Sequence, residues 1–428
     1  MKTSILVLLF AVFFSCHESD RLVEGTEPGS NTLKGYSNDV ILDWNRTAHK
    51  TMAGPTYDPL VASRIQAQVH IAMHDALNNI SGAYETYALK DEDKKAHPIA
   101  AAASAAHTVL VVTFPDKKNM LDSALQVSFS KIPAGNSLES GVALGIKAGN
   151  AILSEQPNED IFQNPVGEIP VTSEPGVYQA VPPTPFVYAP FWAKVKTFSL
   201  ENPSQFRVAN HPTIASEEYV NDFNEVKSKG AKDGSSRTLE ETSIAMYWYE
   251  LSEIGWNRIT LNVATEKKTD LLTTARLFAL VNMALADSYT AGWDSKFYYN
   301  FWRPYTAIRT AENDGNSNTT PDIGWESLLD TPPVQDYPST HSVLGNAAAT
   351  ILASLLGDNT TFTMSSPSAH PEHPNRTFNS FSSAAVENAE SRVLAGLHFR
   401  FSCTSGLDLG KKIGEWTVKN HLRPVKDI

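Results

Sequence analysis

Disulfide bonds can do little for this chain: its 428 residues include two cysteines, Cys16 and Cys403. Cys16 closes an amino-terminal apolar run, so Cys403 has no partner and packing must hold the fold. Positive charge is also scarce, with 35 Lys and Arg against 47 Asp and Glu and a formal net charge of -12. Nucleic acid and anionic lipid are therefore excluded as general partners, because counterion release needs a basic surface. Any cation that matters must act locally. Beyond the first twenty residues no run is long and apolar enough to cross a bilayer. No internal repeat and no strand-like alternation stands out, which leaves helices to build the fold.

The opening MKTSILVLLFAVFFSCHESD combines a lysine, a short apolar run and small residues, which reads as an export signal over residues 1–15. Ser15-Cys16 resembles a bacterial lipobox, which implies Cys16 as the lipidated first residue of the mature protein. An ordinary signal with a chance cysteine is the other reading. Residues 16–39 are polar and rich in Gly, Ser and acid, the composition of a flexible tether. The expected location is outside the cytoplasm of a bacterium, anchored by lipid in the outer membrane or periplasm or at the cell surface.

Helical periodicity dominates the rest. Val61, Ile65, Val69, Ala72, Ala76 and Ile80 recur at helical spacing and predict a helix over about 60–80. Pro98 opens an alanine-rich helix that ends near Phe114, and VALGIKAGNAILSE continues the pattern. Residues 156–212 lack a period but carry many prolines and aromatics, which predicts a long irregular crossing packed by its rings. Ser216 and Gly230 bracket the next helix, and Thr238 with Glu241 forms a capping-box pattern. A long helix starts at Asp270 and must stop before Pro304. HSVLGNAAATILASLLG, SSAAVENAESRVLAGLHF and GLDLGKKIGEWTVKNHL predict three more. The expected class is all-α, an assembly of helical bundles, with an amino-terminal half over 40–237 and a second helical domain over 238–428.

Chemistry concentrates in the second half. In KFYYNFWRP, Lys296 and Arg303 are seven apart, and on a helix they would share a face to within about 20°. In YPSTHS, Ser339 and His341 open a helix whose free N–H groups suit an anion. In ESRVLAGLHF, Arg392 and His398 fall near a predicted helix end. Two guanidiniums, an ammonium, a hydroxyl, free amides and two imidazoles suit a multiply charged tetrahedral oxyanion. One imidazole can bond the central atom while the other moves protons.

The order K-x6-R-P, P-S-x-H, S-R-x5-H resembles the three-part signature of the type 2 phosphatidic acid phosphatase and vanadium haloperoxidase superfamily. Lys296, Arg303, Pro304, Pro338, Ser339, His341, Ser391, Arg392 and His398 all match. DVILDW, ASRIQAQVHIAMHDAL and YWYELSEIGWNRI extend the resemblance to the amino-terminal half of bacterial haloperoxidase-like proteins. It implies vanadate as cofactor, with phosphate as competing oxyanion. Lys296, Arg303 and Arg392 would neutralise the equatorial oxygens, with Ser339 and the amide of Thr340 assisting. His398 would be the one protein bond to vanadium, and His341 the acid-base. Two positions depart from the family. Thr340 stands where glycine is usual, and Ser402 stands where an acid often follows the last histidine by four; a backbone carbonyl is the expected orienting partner of His398 instead.

The resemblance implies oxidation of halide by hydrogen peroxide to hypohalous acid, which passes to a small organic acceptor. Val334, five before Ser339, holds the place where bulky aromatic or imidazole side chains accompany chloride or bromide use. It points to iodide or bromide ahead of chloride. The same residues also fit a phosphatase acting through a phosphohistidine at His398, and an exported lipoprotein that only binds is a third reading. His70, His74 and Asp75 have metal-ligand spacing without an evident third ligand and read as structural. His370 and His373 lie in a Pro-rich segment and read as solvent-exposed. Asp287 and Asp294, ahead of Lys296, either tune the site or solubilise their helix.

Overall fold

A computed structural model describes residues 33–425; the predicted export signal, Cys16 and nearly all of the tether lie outside the described residues. The all-α expectation holds. α1 (Asp39–Met52), α2 (Pro59–Ser81), α3 (Pro98–Thr113), α4 (Lys118–Phe129) and α5 (Asn136–Glu155) form an amino-terminal group. After the long crossing come α6 (Glu217–Lys229), α7 (Leu239–Tyr247), α8 (Ser252–Glu266) and α9 (Leu271–Tyr299). The chain ends with α10 (Pro304–Arg309), α11 (Thr340–Leu356), α12 (Phe381–Leu394) and α13 (Arg400–Asn420). Two small antiparallel ladders, for which the sequence gives no signal, pair β1 (Val166–Gly167) with β2 (Val187–Tyr188) and β3 (Phe362–Ser365) with β4 (Asn375–Phe378). Each strand is too short to display a period.

Local signals account for most boundaries. Asp58 caps α2 by accepting from the amides of Leu60 and Val61, and Asp270 does the same for α9 through Leu272 and Thr273. The capping box of Thr238 and Glu241 opens α7. Ser216 caps α6 through the Tyr219 amide, and Gly230 ends it. α2 is buried on nearly every side rather than along one stripe, because α9 covers one flank while α3 and α5 cover others. α9 packs against both α2 and α11 and so joins the two groups of helices.

Small residues set the distance between two helix pairs. Gly406, Gly410 and Gly414, one turn apart on α13, face the α11 backbone; a Cβ on Gly410 would overlap the Val343 carbonyl. Gly141, Gly145 and Gly149 on α5 meet the alanine-rich α3 in the same way. The first contact matters for the site. It seats the start of α13 against the start of α11, so that the Ser339 amide donates to the Ser402 carbonyl at 2.9 Å.

The crossing at 156–212 is ordered by specific anchors as well as by its rings. Asp287 of α9, fully buried, accepts from the amides of Phe198, Ser199 and Leu200 and from the Ser199 hydroxyl. Asp294 makes a bidentate pair with Arg207, both contacts at 2.7 Å. Both aspartates therefore fasten the crossing to α9.

Candidate active site

Lys296 lies in the last turn of α9, and its Nζ donates to the carbonyls of Gln335 (2.5 Å) and Asp336 (3.0 Å). α9 then stops, because Asn300 takes a left-handed φ of 48°, which Asn tolerates better than most residues. Arg303 is therefore not on the helix of Lys296, and the shared face expected from their spacing does not exist; Arg303 is the residue before α10. The two cations meet because both grip the 332–336 segment. Arg303 Nε donates to the Val334 carbonyl at 2.7 Å. The crossing holds this reversal from the other side, with the Tyr178 amide donating to Asn300 O (2.8 Å) and the Trp302 amide to Gly176 O (3.0 Å).

Arg392 sits in the last turn of α12, which ends at Leu394, earlier than the sequence suggests. Gly396, at φ 79°, turns the chain where it abuts the Gly230 backbone, and a Cβ there would overlap the Gly230 carbonyl. His398 is thereby placed in the connection to α13 and not on a helix. Its Nε2 lies 3.0 Å from Arg303 Nη1, which also donates to the Leu397 carbonyl at 2.8 Å. Its Nδ1 lies 2.9 Å from Asp336 Oδ1, somewhat off the line of an ideal hydrogen bond.

That carboxylate replaces the backbone carbonyl expected as the partner of His398. Asp336 is fully buried, and its Oδ2 accepts from the hydroxyl of Ser402. The acid has thus moved to the segment before α11, while Ser402, at the family's acidic position, holds it in place. A proton on Nδ1 facing Asp336 makes Nε2 the acceptor, with its lone pair now facing Arg303 Nη1; a ligand atom bonding Nε2 would have to take that place. Sequence reasoning missed Asp336 because the residue lies outside the three motifs; the acid three residues before Ser339 was the available signal.

His341, partly exposed, lies in the first turn of α11 with Nε2 3.2 Å from the Glu250 carbonyl. As donor to that carbonyl, Nε2 carries the proton and Nδ1 is the free base. Glu250, between α7 and α8, is a second site residue; it lies in the YWYELSEIGWNRI stretch but outside the three motifs. Ser339 precedes α11, and its hydroxyl accepts from Ser342 at 3.0 Å. Thr340 is the first residue of α11 and has no positive φ, so the usual glycine is not needed for backbone reasons. Ser391 is buried and donates to the Asn388 carbonyl, and Val334 is buried beside Arg303.

Electrostatics points to an anion. Burial, and then the charge of Arg303, holds the Lys296 ammonium well below the usual lysine range. Burial pushes Arg392 down to about 10. His341 and His398 are both held well below the usual imidazole value by burial, then by Arg392 for the former and Arg303 for the latter. Burial raises Asp336 to about 7, against the pull of Arg303. Nε and Nη1 of Arg392 are buried with no hydrogen-bond partner in the protein. A tetrahedral oxyanion satisfies those donors and relieves the cation repulsion, so the residues present fit vanadate or phosphate.

The other candidates fall outside the cup. His70 bonds Asn45 at 3.0 Å and stacks on Phe278, while Asp75 accepts from the amides of Tyr87, Ala88 and Leu89. Among the described residues no group of His, Cys, Asp and Glu is arranged to hold a metal ion. His370 and His373 are exposed. No described helix is long and apolar enough to cross a membrane.

Fold and cup define a helical protein that gathers three buried cations and two histidines in one place. Residues 276–427 match the family of the VCPO second helical-bundle domain, which supports the resemblance of this chain to the vanadium haloperoxidase and type 2 phosphatidic acid phosphatase superfamily. It is 26% identical to the vanadium chloroperoxidase of Curvularia inaequalis over 73% of its own length, and the match spans 63% of that relative. Among solved structures, a bacterial vanadium-dependent iodoperoxidase superposes with a TM-score of 0.77 at 24% identity, covering 91% of this chain and 98% of that one. A holo-type bacterial vanadium-dependent chloroperoxidase gives 0.70 at 17% identity, over 92% and 98% of the two chains. At these identities the structural likeness establishes the fold.

Proposed function

We propose that the chain is a vanadate-dependent haloperoxidase that oxidises halide with hydrogen peroxide to hypohalous acid, which halogenates a small organic acceptor. The reading rests above all on Arg392, whose buried Nε and Nη1 have no acceptor in the protein, beside Lys296, Arg303 and His398. Lys296, Arg303, Arg392, Ser339, the Thr340 amide and His398 Nε2 would hold the oxyanion. All lie in the 238–428 part, which we read as the catalytic domain; 40–237 is the supporting half. Bound vanadate supplies Lewis-acid activation of peroxide without a redox change of the metal.

The protein's own groups handle the rest. Halide, hydrogen peroxide and one proton give hypohalous acid and water, and neutral His341, with Nδ1 unprotonated, is suited to take and return that proton. The buried cations stabilise developing negative charge where water screens them little. Val334 is aliphatic, which favours iodide, then bromide, over chloride. Export with lipid attachment at Cys16 belongs to the same proposal.

A second reading, phosphomonoester hydrolysis through His398, is favoured by Asp336, because a nucleophilic imidazole needs an orienting carboxylate. Its partner oxygen at 2.9 Å supplies one. Assaying the anion-free protein with peroxide and iodide, bromide or chloride, with and without orthovanadate, and separately with an aryl phosphate, separates the two. Vanadate-dependent halide oxidation is expected; phosphate release that needs no vanadate, with no halide oxidised, would overturn the haloperoxidase reading.

A further inference from the structure

Thr340 lies between the motif residues Ser339 and His341, where the family's usual residue has no side chain. Its backbone donates no reason for a threonine, being ordinary helix. Its side chain, however, occupies a prepared place. Gly292 of α9, one turn before Lys296, faces it, and a Cβ on Gly292 would come 3.3 Å from both Oγ1 and Cγ2 of Thr340. The residue is 7% exposed, yet Oγ1 is buried without a hydrogen-bond partner. An unpaired buried hydroxyl is costly, and this one belongs to the residue between Ser339 and His341 and packs against the turn of α9 just before Lys296, in a neighbourhood where Arg392 donors are also unpaired and an acceptor is missing.

We infer that the Thr340 hydroxyl is itself a hydrogen-bond donor to the bound oxyanion, with Gly292 as the small residue that makes room for it. The inference rests on the oxyanion-binding reading above. It adds a neutral side-chain donor at the meeting of α9 and α11, beside the Lys296 end of the cup, to the donors that the motifs supply. Alone among those donors, it has no counterpart in a chain with glycine at this position.

Calorimetric titration of orthovanadate, and separately inorganic phosphate, into anion-free wild type, Thr340→Val, Thr340→Ser and Thr340→Gly tests it. A hydrogen bond to a charged acceptor lost from a buried site weakens binding by about tenfold or more. Thr340→Val and Thr340→Gly are expected to show that loss, and Thr340→Ser to stay within about threefold of wild type. Thr340→Gly leaves the fold a residue its relatives use, so it carries the test if the valine variant does not fold. Wild-type affinity in Thr340→Val or Thr340→Gly overturns the inference alone. Failure of wild type to bind either anion overturns both the inference and the oxyanion reading.

Discussion

His398 Nδ1 and Asp336 Oδ1 stand 2.9 Å apart in a fully buried pair, and Ser402 donates to the other oxygen of the same carboxylate. The acid that orients the last histidine comes from the segment before α11, while the position four residues after that histidine supplies only the hydroxyl. Asp336→Asn is expected to lower halide oxidation and vanadate affinity by roughly ten- to a hundredfold, the usual effect of losing a ligand's outer partner. The double variant Asp336→Ser, Ser402→Asp returns the acid to the family's place and is expected to recover activity. Steady-state rates and vanadate titration of both proteins check this.

Arg392 should cost the anion-free protein stability and return it on binding. Burial, with a smaller push from the charge of Arg303, lowers its pKa to about 10, and two of its nitrogens lack partners. Arg392→Met is expected to melt at or above wild type without anion and to lose most of the thermal shift that orthovanadate gives wild type. Differential scanning calorimetry with and without orthovanadate measures both.

Lys296 makes the anion-free protein less stable near neutral pH than at alkaline pH. Its folded-state pKa lies well below the unfolded value of about 10.4. Between those two values the folded chain binds fewer protons than the unfolded chain, so stability rises with pH through that window. The penalty is fully present below the folded pKa and vanishes above the unfolded one. Melting temperature measured from pH 7 to 10 should therefore climb more in wild type than in Lys296→Met, and saturating phosphate should flatten the difference.

Val334 is buried next to Arg303 and presents no ring to the cup. Val334→His or Val334→Phe is expected to raise bromide oxidation relative to iodide. The ratio of the two kcat/KM values reports it.

Asp287 holds the crossing through three amides and a hydroxyl, away from the oxyanion cup. Asp287→Ala leaves those donors unpaired and should cost about 3 kcal/mol in urea denaturation. The expected consequence is lower stability, with vanadate affinity retained by the folded fraction.

Much of this was legible from the chain because its signals are local. Caps at Ser216 and Thr238 and the proline at the start of α3 mark helix ends directly. The three motifs are each short enough to carry their own spacing. What escaped depends on tertiary contacts. The reversal at Asn300 cannot be seen in a heptad spacing, since the same seven residues would serve a continuous helix. The stop after Leu394 follows from Gly396 meeting Gly230, far away in sequence. Asp336 and Glu250 reach the two histidines from segments that no pattern ties to them, one through a side chain and the other through a carbonyl. The role of the crossing was readable only as packing; its pairing with residues 300–302 places it behind Arg303.

The central claim is that vanadate bonds to this protein through His398 within the Lys296, Arg303 and Arg392 cup. Vanadium K-edge X-ray absorption of vanadate-loaded wild type and His398→Ala addresses it most directly. The account predicts a nitrogen scatterer at vanadium in wild type that disappears in the variant. Oxygen scatterers alone in wild type, or a spectrum unchanged in His398→Ala, would contradict it.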